Sequence, residues 1–350
     1  MFAVALLLAY LAVHISPGKF ALPAFFGLAY PYILLVNIII VFIWAFRRKY
    51  EALISVFVIL LGINHFSNYL KINKPKGSKE GSFKVMSYNV RLFNYFEKGN
   101  VSSENKILAF LKNQRPDIIC LQEFYINGYP ADKNNSIINS LGGNYHSHMK
   151  LIGSGNKRYY GIVTYSRFPI VRKGEVIHPG SSSLTIYTDV IIDKDTVRIF
   201  NNQLQSFRLR RMERSFIYEI ASADEKETLS EMKNIYSSLK NGFILRAHQA
   251  ENVQENVARS PYPVIVVGDF NDTPVSYSYR KIRKDLSDAF VVSGYGAGFT
   301  YKGNYPANRI DYILYDSFFS SGYFEISKVR YSDHNPISAY LRKSSKKEVS

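Results

Sequence analysis

Residues 1–18, 21–46 and 52–70 contain no Asp, Glu, Lys or Arg, three charge-free stretches in succession that are rich in Leu, Ile, Val and Phe. A run that is apolar on every side has no polar face to offer water, so it constrains the fold more than any other feature of the chain. The middle stretch exceeds the ~20 apolar residues that a bilayer-spanning helix needs. The outer two lie near the lower limit, and His14 and Asn64-His65 dilute them. A cleaved signal peptide is the competing reading of the first stretch. It lacks a basic n-region and a small-residue cleavage site, and a second apolar stretch follows at once. Residues 1–70 are therefore expected to form a membrane region of three transmembrane helices.

Arg47, Arg48 and Lys49 lie between the second and third stretches, and short basic connections stay in the cytoplasm. That places everything after Leu70 outside it. Lys71, Lys74, Lys76 and Lys79 crowd the far end of the third stretch and argue the other way. The tighter cluster decides for a multi-pass protein with an extracytoplasmic soluble part. One cysteine, Cys120, supports neither a disulfide nor a thiolate metal site. Of 44 basic and 28 acidic residues, the first seventy positions hold four and one, which leaves 40 against 27 afterwards, or +13. Such a balance favours anionic partners: phosphoesters, nucleic acid or lipid headgroups.

Residues 71–81 (KINKPKGSKEG) have the composition of a linker. The rest alternates strand and helix patterns. Residues 83–88 read as a strand that delivers Asn89. Ser102 or Ser103 can cap a helix whose face is Ile107, Leu108 and Leu111, stopped by Arg115-Pro116. Residues 117–123 form an apolar strand closing on Glu123, and 160–166 another. Residues 184–192 and 196–203 pair across Asp193-Lys194-Asp195. Positions 207–260 predict two charged helices and 276–284 a short basic one. A hairpin is expected over 299–306, leading into a strand over 309–314. A closing strand follows Tyr331–Ile337 sequence YSDHNPI, and 343–350 read as a disordered basic tail.

The run Val264-Ile265-Val266-Val267 is β-branched throughout and reads as a strand buried on both faces. Gly268 breaks it, and Asp269 and Asn271 follow two residues apart. An Asx turn is the plain reading; a site for a hydrated cation, an attacking water or a phosphate oxygen is the other. Asn89, Glu123, Gln203, Asp311 and Asp333-His334 also stand at the ends of apolar strands, where a rigid sheet fixes loop-borne groups. Hard cations take oxygen ligands, often one or two carboxylates with waters and substrate phosphate. Glu123 supplies a carboxylate, Asn89 an amide, and Asp269 can orient a water. His334 can hold charge against a phosphoryl oxygen if its other ring nitrogen has a partner, for which Asp311 is the candidate.

The motifs SYNVR, LQEF, YSRFP, GDFND, RIDYIL and SDHNP, in this order, resemble the endonuclease/exonuclease/phosphatase superfamily, the deoxyribonuclease-I-like fold. The resemblance covers residues 82–342. It implies an α/β four-layer sandwich, two packed mixed β-sheets flanked by helices, here preceded by the N-terminal transmembrane helical region. It implies Glu123, Asn89 and Asp333 at a Mg²⁺ (or Mn²⁺) site. Asp269 resembles the residue that orients or deprotonates the attacking water, Asn271 its phosphate-holding neighbour, His334 the catalytic histidine and Asp311 the aspartate that orients it.

One position departs. Where relatives carry an Asn-x-His-Leu segment, this chain has Asn201-Asn202-Gln203-Leu204. Gln203 can donate a hydrogen bond to phosphate but carries no proton or positive charge. His146, His148 and His248 are the histidines available to stand in for it. The implied function is a membrane-anchored, divalent-metal-dependent phosphoesterase hydrolysing a phosphodiester or phosphomonoester by in-line attack of water. The alternative is a membrane-tethered module that binds a phosphate ligand with impaired turnover. The substrate, nucleic acid or lipid headgroup, is not readable, and no obligate protein partner is expected.

Overall fold

A computed structural model describes residues 2–72, 77–96, 102–153, 157–181, 183–207, 225–303 and 308–344. In chain order its elements are α1 (Phe2–Leu11), α2 (Leu22–Leu28), α3 (Tyr30–Phe46), α4 (Ala52–Leu61), α5 (Ile63–Phe66), β1 (Leu70–Lys71), β2 (Phe83–Asn89), a 3₁₀ turn (Arg91–Asn94), α6 (Glu104–Gln114) and β3 (Ile118–Asn127). Next come α7 (Pro130–Leu141), β4 (His146–Gly153), β5 (Arg158–Ser166), β6 (Ile170–Val176), β7 (Leu184–Ile192), β8 (Asp195–Gln203), α8 (Glu225–Ala258) and β9 (Val264–Asp269). The chain closes with α9 (Tyr277–Arg283), β10 (Ser287–Asp288), α10 (Ala289–Ser293), β11 (Gly296–Ala297), β12 (Asp311–Tyr315), β13 (Phe319–Ile326) and β14 (Ile337–Lys343). These elements divide between two compact units. One comprises Met1–Phe66, Gln205–Glu251 and Asn271–Ile282, the other Ser67–Leu204, Asn252–Phe270 and Arg283–Ser350.

The second unit holds two packed mixed sheets. One runs β13-β14-β2-β3-β5-β4 and the other β10-β12-β9-β8-β7-β6. β2 with β3, and β8 with β9, are the parallel pairs; the other neighbours run antiparallel. Strand alternation sends Val85, Ile118 and Cys120 from the first sheet, and Val197, Ile199, Ile265, Val267 and Ile313 from the second, into one shared core. On its other face the first sheet offers Met86, Tyr88, Ile119, Leu121 and Val163 to the apolar stripe of α6 (Ile107, Leu108, Leu111) and to Ile137 and Leu141 of α7. The expected α6 face is thus the one buried, and Ser102, rather than the N-cap Ser103, accepts the Glu104 N–H, at 3.3 Å. Arg309 makes a bidentate ion pair with Asp288 at 3.0 and 2.6 Å, both side chains 1% exposed, and so fixes the start of β12.

In the first unit the Tyr10 hydroxyl donates to the Val58 carbonyl (3.1 Å) and the Asn37 amide to the Phe2 and Ile33 carbonyls (3.1 and 2.8 Å). Phe25 of α2 stacks on Tyr236 of α8 with 5.0 Å between centroids and meets Phe243 edge-on at 5.2 Å. The backbone of Gly27 runs so close to the Val275 carbonyl that a Cβ there would lie 2.3 Å from its oxygen.

Several expectations are corrected. The middle apolar stretch is not one continuous helix: it breaks at Ala29 into α2 and α3, bent by 71°. Pro31, in the first turn of α3, explains the break, since proline donates no N–H to the preceding turn and its ring crowds that turn. Among the described residues no single helix is long and apolar enough to cross a membrane, although the bent pair passes by length and composition. Of the two helices expected over 207–260, Glu225–Ala258 is one of 34 residues, uninterrupted by Gly242; residues 208–224 lie outside the described part. Of the hairpin expected over 299–306, Tyr301 forms antiparallel bridges to Asn308 and His334, and residues 304–306 lie outside the described residues. Leu70, the last residue of the expected membrane region, and Lys71, the first of the expected linker, pair with Ala297 and Gly296; Lys74 and Lys76 lie outside the described residues. Lys343, expected in the tail, closes β14 and pairs with Asp195; residues 345–350 also lie outside.

Candidate active site

β9 is the axis of the site. Parallel pairing with β8 sets Gln203 opposite Asp269, and antiparallel pairing with β12 sets Asp311 opposite Asp269 from the other side. Three polar residues thus form a row across three strand ends. Gly268 is required at the step before: with φ 133° it lies so near the Asn202 carbonyl that a Cβ would sit 2.0 Å from the oxygen.

The first sheet contributes Asn89 at the end of β2 and Glu123 within β3. The Asn89 amide nitrogen donates to Asp269 Oδ2 (3.0 Å) and to Glu123 Oε1 (3.2 Å), and its oxygen accepts the Arg91 N–H (3.0 Å). Asn89 therefore binds two carboxylates together. Glu123 sits at an irregularity where β3 pairs with β5, between Leu121 and Phe124, with φ 48°. This bulge takes its backbone N–H out of the ladder, and Gln203 Oε1 accepts it at 3.3 Å. Below it a buried seam joins the sheets: Gln122 donates to Asn201 Oδ1 (2.7 Å) and to Ser87 Oγ (3.2 Å), and Asn201 donates to the Val163 carbonyl (2.9 Å).

His334 comes from the loop before β14. Its Nδ1 lies 3.0 and 3.2 Å from the Asp311 carboxylate oxygens and its Nε2 3.8 Å from Asp269 Oδ2. The ring stands 5.0 Å from that of Tyr301. Thr300 Oγ1 accepts the backbone N–H groups of Ile310 and Asp311, both at 3.1 Å, which fixes the aspartate. Burial alone would lower the His334 pKa, but the Asp311 and Asp269 carboxylates and the Asp311 hydrogen bond raise it to about 10. The imidazolium is therefore the resident form at neutral pH. Burial raises Glu123, opposed by His334 and the Asn89 hydrogen bond, with Asp333 adding to the rise and Arg91 opposing it. Asp333 sits at the rim, 3.4 Å from Arg91 Nε, and accepts from Ser332 Oγ at 3.3 Å; the same hydroxyl donates to the Asn89 carbonyl at 2.8 Å.

Asn89, Glu123, Asp269, Asp311, His334 and Gln203 are thus brought together, with Asp333 beside them. Asn271 follows Asp269 by two residues, has φ 51°, and belongs to the unit that contains 271–282. His148 Nδ1 is 2.8 Å from Thr188 Oγ1, and His248 lies 3.5 Å from Glu251, so each has a local partner of its own. Sequence reasoning missed Arg91, Thr300, Tyr301, Ser332 and the Gln122–Asn201 seam. Arg91, Gln122 and Ser332 stand inside the motifs and Asn201 in the segment of Gln203, so these carried a signal; Thr300 and Tyr301 depend on strand register. Asp269, Asp311 and His334 place one ligand atom each within 4.8 Å of one another, a buried acidic and histidine group that could hold a metal only with His334 neutral.

Residues 86–334 match the family model described as Endonuclease/Exonuclease/phosphatase family, and residues 1–69 match a domain of unknown function, DUF8431. No curated protein matches the chain by sequence. Among solved structures, an endonuclease/exonuclease/phosphatase from Beutenbergia cavernae DSM 12333 is similar at TM-score 0.54 and 18% identity, over 76% of this chain and 72% of that one. The human Nocturnin catalytic domain with bound sulfate anion gives 0.54 and 17%, over 78% and 100%. Truncated Caenorhabditis elegans TDP2 gives 0.51 and 18%, over 75% and 97%. At these identities the structures bear on the fold alone; the family match spans well over half of the chain. With its strand-end cluster of carboxylates, amides and a paired histidine, this chain belongs to the endonuclease/exonuclease/phosphatase family and is a phosphoester-hydrolysing enzyme.

Proposed function

We propose that this enzyme is a membrane-anchored phosphoesterase that uses Mg²⁺ or Mn²⁺ and hydrolyses a phosphodiester or phosphomonoester by in-line attack of water. The observation that carries the reading is the Asn89 amide bridging Glu123 and Asp269. It holds one carboxylate for a cation and one for a water while keeping them distinct. The donor set fits a hard cation, because it offers carboxylate oxygens and no thiolate. Glu123, with Asp333 at the rim, would hold the ion, and burial already leaves Glu123 short of compensating positive charge. When bound, the ion neutralises charge on the phosphoryl oxygens. A protonated His334 has no lone pair for a metal, so it acts as a fixed cation.

The remaining steps belong to the chain. Asp269 accepts a hydrogen bond from the attacking water and aligns it, as Asn89 aligns Asp269. His334, its charge held by Asp311, faces the charge that develops on phosphorus-bound oxygen. Gln203, whose oxygen is engaged by Glu123 N–H, turns its amide N–H groups to the phosphate. Anchoring through residues 1–70 is supported by the bent pair of α2 and α3 and by large apolar side chains left outside, such as Phe42 at 71% and Phe46 at 92% exposure. The Arg47-Arg48-Lys49 connection on the cytoplasmic side would put the catalytic unit outside it.

The test uses the full chain in detergent micelles with a generic phosphodiester. Hydrolysis should require Mg²⁺ or Mn²⁺ and fall ~10²–10⁴-fold in Asp269→Ala. Glu123→Gln should need more metal for half-maximal rate. Metal-independent turnover, or equal metal affinity in Glu123→Gln, overturns the assignment.

A further inference from the structure

Positive charge gathers a second time where β3 begins, away from the strand ends that carry the chemistry above. A cavity of about 540 Å³ opens there between the ends of α6 and α7, and Lys112, Asn113, Arg115, Asn144, Tyr145 and Arg167 line it. Its place follows from register. Arg115 precedes β3, and Arg167 follows β5, whose Ser166 pairs with Ile118 at the start of β3. Glu123 stands five residues beyond Ile118, roughly 17 Å along the strand.

The cations of this cavity are not spent on the fold. The last carbonyl of α6, that of Gln114, accepts from Lys84 Nζ at 3.2 Å, and the Leu111 carbonyl accepts the Arg115 backbone N–H at 3.1 Å. At the end of α7 the Asn139 and Ile138 carbonyls accept the Gly142 and Gly143 N–H groups at 3.0 and 2.8 Å. Both helix ends are thus capped without the side chains of Lys112 or Arg115, and neither side chain has an acidic partner among the described residues. Arg115 moreover holds the left-handed C-cap conformation, φ 47°, that glycine adopts more readily. Its side chain is kept there at a cost to the backbone.

Arg167 is held in place. Its Nε donates to the Tyr145 hydroxyl at 3.2 Å, its guanidinium lies 5.3 Å over the Tyr145 ring, and its Nη1 is 3.7 Å from Asp117 Oδ1. Tyr145 is itself buried and donates its hydroxyl proton to the Pro116 carbonyl. Asp117 gives its other oxygen to the Lys84 N–H at 2.7 Å. Arg167 Nη2 has no partner among the described residues. Three cations therefore face one carboxylate, a surplus of two positive charges. A phosphomonoester carries about −1.5 to −2 at neutral pH and offers three strong acceptor oxygens; a phosphodiester or a carboxylate carries a single charge. Guanidinium forks match phosphate oxygens in pairs. The volume lies within the range of small-ligand sites and leaves room for the group that bears the phosphate.

We propose that this cavity is a second, non-catalytic anion site that takes a phosphate dianion borne on a small organic group, either a soluble phosphomonoester or a lipid headgroup with a terminal phosphate. It shares no residue with the strand-end site and stands whether or not the phosphoesterase reading does.

The test is calorimetric titration of the full chain in maltoside micelles, with EDTA present so that no metal assists phosphate at the strand ends. sn-Glycerol 3-phosphate should bind saturably. Lys112→Gln and Arg115→Gln, both at exposed positions outside the core, should each weaken it about 10-fold, the loss of one charge-assisted hydrogen bond. Lys112→Arg should retain the affinity, and so should His334→Gln. Dimethyl phosphate, with one charge, should bind about 10-fold more weakly or worse. Doping the micelles with short-chain phosphatidic acid separates the two sources: Lys112-dependent binding tighter than that of glycerol 3-phosphate assigns the lipid headgroup, and equal or weaker binding assigns the soluble ester. The proposal is overturned by the absence of saturable binding to either ligand, by unchanged affinity in both glutamine variants, by equal affinity for dimethyl phosphate, or by binding that depends on His334 instead.

Discussion

Two apolar populations of this chain meet opposite fates. In β3, Ile118, Ile119, Cys120 and Leu121 are all 0% exposed. In α3 and α4, Phe42 is 71% exposed, Phe46 92% and Leu53 67%. The side chains are equally apolar, so composition does not decide. The difference is how many faces of the element are covered. β3 has the other sheet on one face and α6 and α7 on the other, so consecutive residues are buried alternately into two cores. α3 is apolar all round, yet buries only Tyr30, Leu34 and Asn37. An apolar face without a protein partner needs an apolar solvent, which is the physical content of the anchoring proposed above.

The comparison can be broken most easily on its buried side. Leu121→Ala should cost about 2–5 kcal/mol, the range for a fully buried leucine with limited collapse, measured by denaturant unfolding of the catalytic activity. A loss within about 0.5 kcal/mol would mean that β3 is not covered on both faces. The polar network above β3 should announce itself through pH. His334 has a folded pKa of about 10 against an ordinary 6.5. Its stabilising contribution is therefore fully present below pH 6.5 and lost as pH rises through about 10. Melting temperatures of the wild type and His334→Gln should converge across that window; a constant gap up to pH 10.5 contradicts the Asp311–Asp269 cradle.

Gln203→His is expected to act less strongly. A second imidazolium should raise turnover below neutral pH, by less than the ~10²-fold at the lower end of acid–base effects. The charged ring cannot accept the Glu123 N–H that Gln203 now accepts, so part of the gain is spent on a looser bulge. A pH–rate profile that falls or stays flat on the acid side would show that the amide is matched to the substrate. The smallest effect belongs to the exposed side of the comparison. Phe42→Ser should change unfolding stability by no more than about 0.5 kcal/mol while lowering partition into a detergent phase. A large stability loss would reveal a protein partner on that face.

What could be read from the sequence was local. The β-branched run of β9, its stop at Gly268 and the acid that follows are neighbours in the chain, and so are Asp333 and His334. Strand ends therefore announced most of the site. The Glu123 bulge did not, because it exists only in the pairing of β3 with β5. The Gln122–Asn201 seam is equally long-range. The break at Ala29 had a local signal in Pro31, outweighed in the reading by the length of the apolar run. Within α8, Gly242 sits inside one continuous helix, since a glycine there costs only about 1 kcal/mol. The Phe207 ring packs 2.8 Å from where its Cβ would be.

Cys120 lies in the core between the sheets, 0% exposed, its Sγ 3.8 Å from Thr164 Oγ1, and burial pushes its thiol up to about 12. It is the chain's one cysteine. For thiol chemistry the folded protein is thus effectively cysteine-free, since the reactive species is an exposed thiolate. A cysteine placed on the surface for a dye or spin label would be modified selectively, with no background substitution needed. The native thiol has the complementary use: any maleimide uptake by the unaltered chain counts openings of the inter-sheet core, molecule by molecule, without a probe having been added to the sequence.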